Sequence, residues 1–291
     1  MEYRINEPMK LHTTFRTGGP ARRYCSIASI EELKDVMSTA NREGDKIYII
    51  GNGSNLLVSD RGIDGTVIEI GDRFRKIRVI DAPEETGIYA EAGALLSVIA
   101  TTARDAGMDG MVFASGIPGT LGGAVSMNAG AYGGEMKDII EYVDVLKDGK
   151  EERIPGSDMK FGYRTSRCHD EPLVVLGAKL RLTPGKKEEI AAAMQELSIR
   201  RREKQPLEYA SAGSTFKRPE GYFAGKLIQD SGLAGYRIGG AEVSAKHCGF
   251  VINRGDATSE DIYQLIRHII KTVDDTFHVV LEPEVRILGE F

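Results

Sequence analysis

A chain of 291 residues with 28% charged residues and a formal net charge of −5 is long enough for two cores. It lacks the basic excess of a nucleic-acid-binding surface. Its three cysteines, Cys25, Cys168 and Cys248, are far apart and without C-x-x-C spacing, which argues against a disulfide framework or a zinc site and fits a reducing cytoplasm. No window approaches the ~20 apolar residues of a membrane span, and Met1-Glu2-Tyr3-Arg4-Ile5-Asn6-Glu7 lacks the apolar run of a signal peptide, so a soluble cytoplasmic protein is expected.

Leu11 to Gly19 leads into a Gly-Gly-Pro turn. Ser29 and Glu32 have capping-box spacing, Leu33, Val36, Met37 and Ala40 share one helical face, and Gly44 stands as the stop, predicting a first helix. The apolar run Lys46–Ile50 predicts a buried strand that empties into Gly51-Asn52-Gly53-Ser54-Asn55 before Leu56-Leu57-Val58. A dinucleotide fingerprint is excluded here, because Leu56 replaces the third glycine and the residues that follow do not open a helix. Strands are expected at Thr66–Ile70, Lys76–Asp81 and Ile88–Ala92, then a helix over Leu95–Ala106 stopped by Gly107.

The next stretch, Ala114–Gly134, is dominated by glycine and small residues, with Ile117, Leu121, Val125 and Met127 interleaved. A flexible linker would be richer in Ser, Pro and charge. This composition fits a backbone that turns tightly, approaches something closely and converges its N–H groups on an anion such as a pyrophosphate. The Gly51–Asn55 turn offers a second set of donors for the same group. Asp148-Gly149 then predicts a hairpin between Glu141–Leu146 and Glu151–Ile154. Val174–Leu182 reads as a strand, and a long helix runs from Lys186 to about Lys204, ended by Pro206. The domain boundary is expected here, giving 1–185 and 186–291. Further on come a short helix at Ala224–Ser231, a buried strand at Gly249–Asn253, a helix capped by Thr258 and Asp261, and a closing strand over His278–Leu288. Alternation along that strand puts Glu282, Glu284 and Arg286 on one face. The pattern is α+β. The five histidines are dispersed, with no metal or triad spacing, and Gly213-Ser214 lacks the second glycine of a hydrolase elbow.

Seven linked motifs carry a resemblance across nearly the whole chain. They are Thr14-x-Arg16-x-Gly18-Gly19, Gly51–Val58, Gly116–Gly134, Gly162-Tyr163-Arg164-x-Ser166, Ser211-Ala212-Gly213-Ser214-x-Phe216-Lys217-x-Pro219, Gly235–Ala241 and Leu281-Glu282-x-Glu284-Val285. In this order they resemble the UDP-N-acetylenolpyruvoylglucosamine reductase (MurB) family. The short distance from Arg164 to Ser214 is similar to its second type, which lacks an extra substrate-covering tyrosine loop.

The resemblance implies an FAD-binding region of the PCMH/vanillyl-alcohol-oxidase kind at 1–185, made of two α+β subdomains, and a smaller α+β substrate domain at 186–291. It implies that NADPH reduces a non-covalent FAD, which then reduces an enolpyruvyl ether of a UDP-sugar in cell-wall precursor synthesis. By motif match, Ser214 is the proton donor, while Arg164 and Glu284 polarise the substrate carboxylate. The cofactor contacts implied are Arg16, Gly51, Asn52, Gly53, Ser54, Asn55, Gly116, Ile117, Gly119, Thr120, Gly122, Gly123, Asn128, Gly130 and Ala131. Tyr163, Lys204, Lys217, Arg218 and His247 match substrate-contacting positions, and no metal is implied. Two departures stand near the uridine end: Glu242 where the family usually has an amide, and Cys248 where alanine is usual. A flavin oxidase acting on an alcohol would usually carry a tethering His or Cys, and neither occurs within Gly51–Asp60 or Gly116–Gly134. A non-enzymatic nucleotide sensor would bind without turnover. The partners expected are small molecules, with a monomer or weak oligomer and no nucleic acid or membrane insertion.

Overall fold

The structure, a computed structural model, describes residues 3–82 and 85–291. The chain forms two compact units, one of residues 25–52 and 68–201, the other of residues 3–24, 53–67 and 202–291. The described residues form six α-helices: α1 (Ile30–Arg42), α2 (Leu96–Asp105), α3 (Leu121–Met127), α4 (Lys187–Lys204), α5 (Ala224–Asp230) and α6 (Ser259–Phe277).

The first unit is built on a five-stranded antiparallel sheet, in the order Lys150–Pro155, Ile140–Lys147, Val174–Arg181, Glu85–Glu91, Ile77–Ala82. The Asp148-Gly149 turn expected for its first hairpin is present, both residues having positive φ (49° and 76°), as a two-residue hairpin turn requires. Val174–Arg181 is buried over seven of its eight positions, so its apolar run reflects cover on both faces. The predicted cap of α1 is present: Ser29 Oγ accepts the Glu32 N–H, while the Glu32 carboxylate takes the Ala28 N–H at 2.7 Å. Gly44 follows with φ 72°.

In the second unit, Arg4–Pro8 and Pro20–Ser26 pair antiparallel, and Arg286–Leu288 lies parallel to Leu56–Val58. Its core gathers Phe15 and Leu57 with the α6 stripe Ile262, Leu265, Ile266, Ile269 and Val273, all at most 1% exposed. The α6 capping box of Thr258 and Asp261 is formed as expected. Gly18 and Gly19 are explained by packing: an added Cβ would lie 3.0 Å from Val58 Cβ and 2.1 Å from Asp60 O respectively. The tight passage of two chain segments, rather than a ligand, requires those glycines.

The closing segment corrects one expectation. Only Arg286–Leu288 is strand; residues 278–285 are not, since His278 caps α6 in the left-handed region and Pro283 has no N–H for a ladder. A single antiparallel bridge, Phe216 to Pro283, stands there instead.

Candidate active site

In the first unit the two glycine turns meet. Asn52 Nδ2 donates to Pro118 O at 2.7 Å, and Gly51 lies so close to Thr120 that an added Cβ would be 2.2 Å from Thr120 Oγ1. The central stretch folds into α3, whose Leu121 and Gly122 N–H groups are bound to Ala94 O and Ala92 O, both at 2.8 Å. Leu121 and Val125 are fully buried, whereas Ile117 and Met127 are half-buried and Gly116 and Gly123 are exposed. Among the described residues no protein backbone acceptor takes the N–H of Asn52, Gly116 or Gly123. The turns therefore present bare backbone and unspent donors, the surface an anionic cofactor needs.

The same stretch holds the Arg164 loop. Gly162 and Thr165 exchange backbone hydrogen bonds of 3.1 and 3.4 Å, leaving Tyr163 and Arg164 at the tip, with Arg164 at φ 56°. Asn128 Nδ2 donates to Gly162 O at 2.9 Å, Ser166 Oγ donates to Ser126 O at 2.8 Å, and Arg164 Nη2 donates to Gly130 O at 3.2 Å. Left-handed φ at a bulky residue costs about 1–3 kcal/mol and persists only where its surroundings hold it. Here the anchors are all on or next to α3. The side chain of Asn128 is buried and also bonded to Glu135 and to the Lys137 N–H. It is spent on the protein, as is its backbone N–H, which donates to Val125 O at 3.2 Å.

In the second unit, Gly53 at φ 59° backs onto His12, whose carbonyl oxygen would be 1.9 Å from an added Cβ, and its own carbonyl takes the Thr14 N–H at 3.2 Å. Thr14 Oγ1 is buried without a hydrogen-bond partner among the described residues, and Arg16, exposed beyond it, is another left-handed residue at φ 57°. An orphaned hydroxyl and strained backbone next to a glycine turn suit a bound ligand. Asn55 turns away from that role: its Nδ2 donates to Glu284 O at 3.0 Å, and its carbonyl takes the Arg286 N–H at 2.9 Å. It pins the segment that carries Glu284.

Ser214 and Glu284 are brought together through Thr215. The Glu284 N–H donates to Thr215 O at 2.8 Å, the Thr215 N–H to Gly249 O at 2.8 Å, and Thr215 Oγ1 accepts the buried Val251 N–H at 3.0 Å. Thr215 is 0% exposed, whereas Ser214, after the left-handed Gly213, is exposed. Sequence reasoning passed over Thr215, because its partners lie 36 and 69 residues away. Thr215→Val removes the acceptor but keeps the shape, stranding the Val251 N–H, so a loss of about 1–3 kcal/mol is expected from urea denaturation. Thr215→Ser keeps the acceptor and loses about 1 kcal/mol, the methyl group alone.

The expected substrate contacts are placed unequally. His247 is half-buried; its Nδ1 accepts the Gly249 N–H at 3.1 Å, which leaves the proton on Nε2, and burial pushes its pKa down. It therefore offers a neutral N–H donor. Lys217 is paired with Glu282, and the Arg218 guanidinium lies 4.0 Å from the Phe223 ring centre. Lys204, in the last turn of α4, and Tyr163 are exposed. Of the two departures, Glu242 is buried against Arg237 at 2.5 Å with Arg254 at 3.7 Å, and Cys248 packs in the core. Both are thus accommodated within the unit's own packing.

Fold and site define an FAD-dependent oxidoreductase of two parts. A family model described as an FAD binding domain matches residues 21–154, and one described as the UDP-N-acetylenolpyruvoylglucosamine reductase C-terminal domain matches residues 205–288. The UDP-N-acetylenolpyruvoylglucosamine reductases of Agathobacter rectalis and Caldanaerobacter subterraneus subsp. tengcongensis are 50% and 52% identical. Each alignment covers 98% of this chain, with 94% and 93% of the relatives. The crystal structure of the Thermus caldophilus reductase superposes with a TM-score of 0.83 at 35% identity, covering 99% of this chain and 98% of that one. The chain belongs to the UDP-N-acetylenolpyruvoylglucosamine reductase family. The expected fold class, an FAD-binding region plus a smaller α+β domain, is borne out.

Proposed function

We propose that Arg164, Ser214 and Glu284 are the catalytic residues of this FAD-containing reductase. It converts the enolpyruvyl ether of UDP-N-acetylglucosamine-enolpyruvate to UDP-N-acetylmuramate with NADPH, in peptidoglycan precursor synthesis. The observation that carries the reading is the Thr215 junction, which ties the exposed Ser214 to the segment carrying Glu284. Held by the glycine turns, FAD would supply hydride transfer from NADPH to the terminal enol carbon. Negative charge then develops at C2 and its carboxylate, and charge-assisted donors aimed there lower the barrier. Arg164 supplies a guanidinium, Glu284 polarises the carboxylate, and the Ser214 hydroxyl delivers the proton to C2. His247, Tyr163, Lys204, Lys217 and Arg218 orient the UDP-sugar, Lys217 exchanging its Glu282 partner for substrate.

For the cofactor, the residues supporting the reading are Gly51, Asn52, Gly116, Thr120 and Gly123 in the first unit, and Gly53 and Arg16 in the second, with Ser54 included on its place in the motif. By function we divide the chain into an FAD-binding region at 1–185 and a substrate domain at 186–291. We further propose a cytoplasmic monomer or weak oligomer, whose product ties it to cell shape, the cell cycle and division. The turns carry neither His nor Cys, so purified protein is expected to be yellow and to release all its flavin into the supernatant on heat denaturation. Addition of the enolpyruvyl UDP-sugar should then drive NADPH oxidation. Colourless protein that takes up no FAD, or flavin left on the precipitate, would contradict the assignment.

A further inference from the structure

We propose that Glu135 is a positioning residue for Arg164, holding its guanidinium against the Gly130 hairpin before the substrate carboxylate arrives. The inference rests on the reading that Arg164 polarises that carboxylate. Gly130–Ala131 and Gly134–Glu135 pair antiparallel, with Glu135 opposite Gly130. Between them Tyr132 and Gly133 turn at φ 52° and 90°, the left-handed values that a two-residue hairpin turn requires. This hairpin brings the two charges to one residue. A Cβ added at Gly130 would lie 2.8 Å from Glu135 Cγ, so the stem of the carboxylate runs across Gly130. The carbonyl oxygen of the same Gly130 accepts from Arg164 Nη2 at 3.2 Å.

Glu135 also reaches the base of the Arg164 loop. Its carboxylate accepts from Asn128 Nδ2 at 3.1 Å, and the same nitrogen donates to Gly162 O at 2.9 Å. A carboxylate without a proton only accepts, so it fixes which end of the Asn128 amide is the donor that meets Gly162 O. The Glu135 backbone is anchored too, its N–H donating to Asp138 Oδ2 at 2.8 Å. Lys137, 2.6 Å away, holds the carboxyl below its ordinary range, followed by Asn128, with the charge of Arg164 acting in the same sense. As an exposed ion pair with Lys137, Glu135 would contribute little to the fold. As a fixed charge beside Arg164 it has a use in the reaction. A long arginine side chain left to itself samples many rotamers, whereas a guanidinium set in place beforehand needs no reorganisation when charge develops on the substrate.

The test is a double-mutant cycle on the holoenzyme, using Glu135→Gln, Arg164→Met and the two combined, with each half-reaction followed by the absorbance of the flavin. Glu135→Gln keeps the length of the side chain and an acceptor for Asn128. It is expected to slow reoxidation by the enolpyruvyl UDP-sugar roughly 10- to 100-fold, the effect of a misplaced reacting partner, and to leave flavin reduction by NADPH unchanged. In the Arg164→Met protein the same substitution should add nothing, because the group it positions is gone. Lys137→Met should reoxidise at the wild-type rate. Glu135→Asp keeps the charge and serves where the neutral variant does not load flavin; its slowing should be smaller and again confined to protein that has Arg164. A wild-type rate in Glu135→Gln overturns the proposal, as does slowing of equal size with and without Arg164, or equal slowing in Lys137→Met. If Arg164→Met is slow in those cases, the Arg164 assignment survives; if Arg164→Met itself reoxidises at the wild-type rate, that assignment falls and Glu135 falls with it.

Discussion

Ser214→Ala is expected to separate the two halves of the catalytic cycle. Reduction of the flavin by NADPH does not need the Ser214 proton and should proceed at nearly the wild-type rate. Reoxidation by the enolpyruvyl substrate should slow by roughly 10²–10⁴-fold, the usual range for loss of a positioned acid. Stopped-flow absorbance of the flavin reads each half separately. The exposed Ser214 hydroxyl leaves the fold little to lose, so flavin content and thermal midpoint should stay unchanged. Glu284→Gln should show the same asymmetry, because it acts on charge that appears only after hydride transfer. Equal slowing of both halves in Ser214→Ala would make Ser214 a residue that holds the flavin, and would end its assignment as proton donor.

The second large effect is expected at Gly123. Of the glycines on α3, Gly122 packs against Ala92, where an added Cβ would sit 3.0 Å from Ala92 Cβ, so its substitution disturbs the sheet. Gly123 is different: an added Cβ meets only Thr120 Oγ1 at 3.8 Å, and its φ is not in the left-handed region. Valine there is accepted by the protein, and under the proposed assignment of the glycine turns it would obstruct FAD. FAD uptake should be abolished while the circular dichroism spectrum and the urea midpoint of the apoprotein remain near those of wild type. Full flavin content in Gly123→Val would show that the glycines of α3 serve packing alone.

What the sequence reveals follows the range of the interactions. The caps of α1 and α6, the Asp148-Gly149 turn and the glycine stops are set by neighbours within four residues, and each is legible. The long-range partnerships are not. Asn55 belongs by motif to the cofactor turn, yet its amide holds the Glu284 segment 229 residues away. Asn128 sits among the cradle glycines and spends its amide on the Arg164 loop. Arg201 reads as part of a basic helix end until its guanidinium is seen against Gly116. The strand expected over His278–Leu288 is confined to Arg286–Leu288, because the alternation of Glu282, Glu284 and Arg286 does not supply the N–H that Pro283 lacks.

The parallel pairing of Leu56–Val58 with Arg286–Leu288 has a cost during synthesis. At about 5–20 residues per second, the ribosome needs roughly seven to thirty seconds to travel from Val67 to Arg202. During that time Phe15 and Leu57 have emerged, and the α6 stripe they are buried against in the finished protein does not yet exist. A nascent strand of this kind is a site for chaperone capture or for pairing with a neighbouring chain on the same polysome. Expression of residues 205–291 alone would create the mirror problem, a helix whose apolar stripe has lost its earliest-made partners.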